Sequence, residues 1–193
     1  KKIFKNIQEK VDAASVSLAE ERGACPDAAE YGMKERFSNK TAIAPTASIS
    51  IICGGSSPGI EPIAANSYTH KTLSGSFNVR NKYLRKLLQK YKKDTDEVWS
   101  SITTNQGSVS HLDFLNAEEK DTFKTAFEID QRWVVELGAD RTPHISQAQS
   151  VNIFIPADIH KKDLHQIHFQ AWKKGLKSLY YCRSKSIQRA ENV

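Results

Sequence analysis

Apolar side chains at Ile3, Ile7, Val11, Ala14 and Leu18 recur close to every 3.6 residues, which predicts a helix over residues 3–22 with Gly23 as its stop. Pro26 and Asp27 open a second predicted helix that runs through Phe37. The short apolar stretch Thr41-Ala42-Ile43-Ala44 reads as a buried strand leading directly into Pro45-Thr46-Ala47-Ser48, and the Gly/Ser/Pro cluster over 54–59 is a loop. The middle of the chain, 81–139, reads as helical in four pieces: Tyr83 to Tyr91, Thr95 to Thr103, Ala117 to Phe127 and Ile129 to Leu137. Asn116, ahead of Ala117-Glu118-Glu119, is an N-cap signal with acidic residues in the first turn.

Further on the period changes. Gln149 to Ile155 reads as a strand ended by Pro156. A helix follows over 160–174, with Leu164, Ile167, His168, Ala171 and Trp172 on one stripe and Gly175 as its C-cap. Lys177 to Tyr181 is the next predicted strand. Strand, helix and strand within about 35 residues make a βαβ unit, so the two strands are expected to be parallel with a right-handed crossover. Only four or five strands are detectable. A parallel sheet needs cover on both faces and protected edges, so the pattern reads as the later part of a larger α/β assembly. No internal repeat, low-complexity tract or linker divides it.

Composition adds limits. In 193 residues, 39% are hydrophobic and 26% charged, an ordinary balance for a soluble globular protein with room for one core or part of a larger one. No run approaches the roughly 18–20 apolar residues of a membrane span, and the first residues lack an apolar signal region. A soluble cytoplasmic protein is expected. The net charge of +6 raises the question of nucleic acid, with runs at Arg80–Lys86 and Lys90–Lys93. No recognition motif accompanies them, and a solvated helix face accounts for both. The three cysteines, Cys25, Cys53 and Cys182, are odd in number and lack metal-ligand spacing; reduced, mostly buried thiols are expected.

Two segments carry candidate chemistry. A strand ending at Ala44 followed by a helical turn at Pro45-Thr46-Ala47-Ser48 leaves backbone N–H groups unpartnered at the positive end of a helix dipole, a site for a phosphate. Thr46, Ser48 and Ser50 add hydroxyls, and Ala47 permits close approach; the same residues also describe a plain N-cap. The other segment is the doublet Tyr180-Tyr181. In a regular strand the two rings point to opposite faces and one packs inward. If instead the strand ends there and the rings stack, two phenols in contact can pass an electron together with a proton, because oxidised tyrosine is strongly acidic while the neutral phenol titrates near 10. His160, His165 and His168 lie in or near one helix, but no carboxylate or cysteine partner stands beside them, so packing and surface roles are expected over a metal site.

Taken in order, Ala42 to Ser50, Ser57-Pro58-Gly59-Ile60-Glu61-Pro62, Gln147 to Phe154 and Ala171 to Arg183 resemble the C-terminal part of the large (alpha) subunit of class I ribonucleotide reductase. The resemblance implies the C-terminal part of a ten-stranded α/β barrel, with several helices inserted between strands, and one catalytic domain portion over 1–193. It implies reduction of ribonucleotides, usually diphosphates, to deoxyribonucleotides by a radical mechanism. By position, Pro45, Thr46, Ala47, Ser48 and Ile49 match the substrate phosphate loop, and Tyr180 and Tyr181 match the stacked pair that relays a radical. Implied partners are the N-terminal part of the large subunit, a second large subunit, a metal-containing small (beta) subunit, and a thioredoxin- or glutaredoxin-type reductant. No cofactor is implied in this segment.

Departures accompany the match. The family's radical cysteine sits in an Asn-x-Cys-x-Glu loop, whereas Cys25, Cys53 and Cys182 follow Gly23, Ile51 and Tyr180 at that spacing. The redox-active cysteine pair and cysteine tail are also missing. The chain is therefore expected to be a fragment without reductase activity of its own. The alternative reading is a non-catalytic basic binding or scaffold module.

Overall fold

The computed structural model describes residues 1–73 and 75–184. They fall into two compact units. Unit 1 comprises residues 1–44, 131–153 and those from 157 on; unit 2 comprises 45–130 and 154–156. The last nine residues of the expected 1–193 domain portion lie outside the described residues.

Unit 1 begins with α1 (Lys2–Arg22), as its periodicity predicts. α2 (Pro26–Glu30) is much shorter than the helix expected through Phe37. Met33 N–H reaches back to Ala28 O and Gly32 takes φ +68°, so the helix unwinds one turn after Glu30. The expected strand at Thr41–Ala44 shrinks to one parallel bridge, Ile43 with Gln149, and is not buried. α7 (Gln131–Arg141) and α8 (Lys161–Lys173) pack together, with Gln170 and Lys174 bonded to Glu136 at 2.6 and 3.0 Å. Those two bonds hold the Glu136 carboxyl below its usual pKa range, Lys174 first. Of the predicted α8 stripe, Ile167 and Ala171 are buried, whereas Trp172 is 73% exposed. Gly175 (φ +78°) follows the last turn, where Leu176 N–H reaches Ala171 O, the bond pattern of a glycine-terminated helix.

The strands around α8 are shorter than expected. β3 spans Ile153–Ile155 and pairs with β4, Cys182–Ser184. Pairing already starts upstream, where Tyr180 N–H donates to Val151 O and Ile153 N–H to Tyr181 O. Residue numbers rise together across these two bonds, so the strands run parallel, as the βαβ pattern requires. The doublet therefore stands at the entrance of the second strand, not at its end. Lys177 to Leu179 form a bend and irregular chain.

Unit 2 has its core where α4 (Lys82–Lys90) and α5 (Asp96–Thr104) bring together Leu84, Leu88, Trp99 and Ile102, closed by Val109, Leu112 and Leu115. Caps explain both helix starts: the Asn81 side chain accepts from Tyr83 and Leu84 N–H, and that of Thr95 from Val98 N–H. α6 (Ala117–Thr122) carries the Asn116/Glu119 capping box but ends before the expected Phe127, and a 3₁₀ turn at Ala126–Glu128 follows. Ahead of α4 lies an antiparallel hairpin that the sequence pattern did not suggest, β1 (Ser67–Thr72) and β2 (Gly75–Arg80), pairing from Ser67–Arg80 to Thr72–Gly75. Buried Asn66 fastens its base, donating to Gly107 O (3.0 Å) and Phe123 O (2.8 Å) and accepting from Asn81 (2.9 Å).

Candidate functional site

The phosphate segment opens α3 (Ala47–Ile52) with Thr46 at its N-cap. Thr46 N–H is held by Pro58 O at 2.9 Å, which ties the loop to the Ser57-Pro58-Gly59 segment. The Thr46 side chain makes no capping bond. Ala47, Ser48 and Ile49 are exposed, and the N–H groups of a first helical turn have no partner within the helix. Ser50 differs from the expected hydroxyl donor: its side chain is buried and donates to Ala47 O at 2.7 Å. It therefore braces the turn internally, leaving exposed Ser48 and half-buried Thr46 as the remaining hydroxyls. At the other end of α3, Gly54 (φ +89°) presents its carbonyl to Lys82 Nζ at 2.8 Å, and this anchors the glycine turn on α4.

The tyrosine doublet takes the geometry of paired rings. The ring centroids of Tyr180 and Tyr181 lie 4.1 Å apart with the planes inclined at 53°. The inward-packed alternative does not hold: the residues are 45% and 54% exposed. A hydrogen bond between the phenols raises the pKa of Tyr180, with desolvation adding to the rise and the Arg183 guanidinium opposing it. The Arg183 guanidinium also sits 5.4 Å from the Tyr181 ring centroid, over its face.

The remaining candidates have plain roles. His160 caps α8, its ring accepting from Lys162 N–H, His168 bonds Leu164 O, and His165 stacks on Phe169. Among the described residues no group of three or more His, Cys, Asp or Glu is placed to hold a metal ion. The cysteines are free, but Cys53 and Cys182 are exposed and Cys25 half-buried, contrary to the expectation of mostly buried thiols. Cys53 ends α3 beside the equally exposed Ile51 and Ile52, and Cys182 lies on β4, whose three residues are all exposed. In the basic runs, Arg80 at the end of β2 pairs with Asp96 at 2.8 Å, and Arg85 on α4 pairs with Asp94 at 3.4 Å. No helix of the described residues is long and apolar enough to cross a membrane.

The pairing of Tyr180 and Tyr181 with the 151–153 segment follows the expected βαβ unit, but the anchoring of this stretch through Lys177 is a feature that sequence reasoning missed. The Nζ of Lys177 donates to three successive carbonyls, Ile145 (3.2 Å), Ser146 (2.7 Å) and Gln147 (3.2 Å). A lone lysine three residues before an aromatic pair gives no signal of this in sequence.

Residues 24–182 match the family model described as the ribonucleotide reductase barrel domain. The chain is 47% identical over 195 residues to the ribonucleoside-diphosphate reductase large subunit of Invertebrate iridescent virus 6, covering 99% of this chain and 20% of that protein. It is 36% identical over 147 residues to the large subunit of Caenorhabditis elegans, covering 76% of this chain and 18% of that protein. Among solved structures, the alpha subunit of the Actinobacillus ureae class Id ribonucleotide reductase superposes with a TM-score of 0.86 at 40% identity. That match covers 99% of this chain and 34% of the other. The fold is thus of the α/β barrel type, although the described strands form two separate two-stranded sheets and no closed barrel.

Proposed function

From the premise that this chain belongs to the ribonucleotide reductase barrel-domain family, we propose that it is part of the large subunit of a ribonucleoside-diphosphate reductase. In this reading its strands join a ten-stranded barrel completed by the N-terminal part of that subunit. The assembly works in the cytoplasm as a pair of large subunits with a metal-containing small subunit and a thioredoxin- or glutaredoxin-type reductant. The substrate is a ribonucleoside diphosphate.

The observation that carries the proposal is the hydrogen-bonded contact of Tyr180 and Tyr181, 4.1 Å between centroids, in a segment the family match includes. An electron deficiency arriving from the small subunit leaves Tyr181 as a phenoxyl radical, its proton lost to an outside acceptor. Tyr180 then gives up its O–H hydrogen, as an electron and a proton, across the contact between the two phenols. Tyr181 returns to a neutral phenol and Tyr180 becomes the radical. Tyr180 in turn takes a hydrogen atom from a cysteine thiol on polypeptide outside these residues, and that thiyl abstracts the ribose 3′ hydrogen. Pro45, Thr46, Ala47, Ser48 and Ile49 hold the diphosphate through the first-turn N–H groups of α3 and the hydroxyls of Thr46 and Ser48, where the helix dipole favours an anion.

The test is Tyr180→Phe and Tyr181→Phe in the full-length large subunit assayed with its small subunit. Each removes the transferable hydrogen and keeps the ring. Turnover is expected to fall to background while diphosphate binding stays within about twofold, since uniform binding is untouched. Full turnover in either variant would reject the relay.

A further inference from the structure

The doublet is held in place by little. Its backbone makes two bonds to the neighbouring strand segment, Tyr180 N–H to Val151 O at 2.8 Å and Ile153 N–H to Tyr181 O at 2.9 Å. Both rings are about half exposed, so packing does not fix them. In extended chain the side-chain period is two, and a slip of one residue would exchange the faces on which the two phenols stand. The β3–β4 ladder that begins here holds the register on one side, and on the side of α8 another contact must hold it. The run from Lys177 to Leu179 is irregular and does not itself belong to a ladder.

Lys177 supplies that anchor. Its ammonium has three N–H donors, and each finds a main-chain carbonyl: Ile145, Ser146 and Gln147, at 3.2, 2.7 and 3.2 Å. An exposed lysine ordinarily pairs loosely with a carboxylate or trails in water. Here the cation instead gathers three consecutive carbonyls of one strand lead-in, and four residues beyond Gln147 is Val151, the acceptor for Tyr180. The receiving segment is itself fixed. Ser146 Oγ accepts from Lys40 and Thr41 N–H at 2.9 and 2.8 Å, Gln147 N–H donates to Thr41 O, and Ile43 is bonded between Ala148 and Ser150. On the other side, Leu176 N–H closes the end of α8 on Ala171 O, one residue before the lysine. Lys177 thus couples the rigid end of a helix to the strand whose register decides where the phenols meet.

We infer that Lys177 is a positioning residue for the tyrosine pair: by clamping the carbonyls of residues 145–147 it sets the register that brings the two phenols into hydrogen-bonding contact. It touches no reacting atom. The inference rests on the radical-relay reading above.

Two measurements test it. In the full-length large subunit with its small subunit, Lys177→Met is expected to lower kcat by about ten- to a hundredfold, the scale of an ångström-sized misplacement. The KM for the diphosphate should stay unchanged, and Lys177→Arg, which keeps several N–H donors, should recover part of the loss. In the 193-residue chain carrying ring-¹³C tyrosine, Tyr180 is expected to titrate above free tyrosine because of its hydrogen bond with Tyr181. In Lys177→Met that titration should move down toward the ordinary value, which a general loss of stability in a chain that remains folded would not produce. If the methionine variant does not fold, Lys177→Gln is read by the same titration. Wild-type kcat together with an unmoved titration, while Tyr180→Phe and Tyr181→Phe are inactive, overturns the inference. A change confined to KM overturns it as well. Turnover in the phenylalanine variants would instead bring down the relay reading beneath it.

Discussion

Single residues here do their work through the atoms they leave others to satisfy. Trp99 is 1% exposed, yet its indole N–H has a partner, Asp94 Oδ1 at 2.7 Å. That bond, with Gln89 and Arg85 adding to it, holds the Asp94 carboxyl below its ordinary pKa. Replacing Asp94 with Ala strands a buried donor, which costs about 1–3 kcal/mol. A chemical-denaturation midpoint measured at pH 7 would show the loss. The sign of the pH dependence follows from the depressed pKa. The unfolded chain takes up the proton first, so the Asp94 contribution is complete at neutral pH and disappears as pH falls through the lowered folded-state pKa, below the usual carboxylate range. The stability gap between wild type and Asp94→Ala should therefore narrow only in strong acid. A gap that does not narrow as the pH is lowered into strong acid, or that is absent at pH 7, would contradict this account. Nothing in the sequence marks this pair beyond its i, i+5 spacing. The partner is chosen by the N-terminal turn ahead of α5, which no periodicity argument resolves.

At the level of elements, legibility follows how local the determinants are. α1, α4, α5 and α8 were readable because caps and an apolar stripe lie within each segment: Asn81, Thr95 and Gly175 act where their residue types say they should. α2 misleads because Met33, Lys34, Glu35 and Arg36 continue a helical composition, while at Gly32 the chain has turned to close on Ala28. The hairpin escapes notice because one of its faces carries Ser67, Thr69, Asn78 and Arg80, polar groups that meet polar partners such as Thr103, bonded to Ser67 at 2.8 Å. Its Tyr68–Val79 and His70–Phe77 cross-strand pairs were the available signal. α3 shows the same division. Its start was legible from Pro45-Thr46-Ala47-Ser48, but not that Ser50 turns inward while Ser48 is exposed and Thr46 half-buried. This sorts the hydroxyls into two kinds and predicts two kinds of defect in the full-length enzyme. Thr46→Ala and Ser48→Ala should each raise the KM for the diphosphate about ten- to a hundredfold, the worth of one hydrogen bond to a charged group, with little loss of fold. Ser50→Ala should lower thermal stability instead, because it removes the brace on Ala47 O. Unchanged KM and kcat in both the Thr46→Ala and Ser48→Ala variants would remove them as ligands.

For the whole molecule, the ordered motifs pointed to a barrel of the reductase family, and the family match over residues 24–182 agrees. What the order of motifs cannot supply is closure. The four described strands make two separate pairs, and the chain spans 20% of the viral subunit it resembles and 34% of the class Id alpha subunit. Exposed Trp133, Phe169 and Trp172 on α7 and α8 show how much apolar surface these residues leave uncovered by themselves. The cysteines set the sharper limit on activity. A relay ending on Tyr180 needs a thiol to oxidise, and none of the three thiols stands in an Asn-x-Cys-x-Glu loop. Cys182 is next to Tyr181 in sequence, which makes it the obvious false candidate, but it lies on an exposed strand and carries no such surrounding. The purified 193-residue chain, mixed with a small subunit, a dithiol reductant and a ribonucleoside diphosphate, is therefore expected to form no deoxynucleotide by chromatography. Product formed by the chain alone would show that one of its own thiols receives the radical, and Cys182→Ser would then be the variant to abolish it.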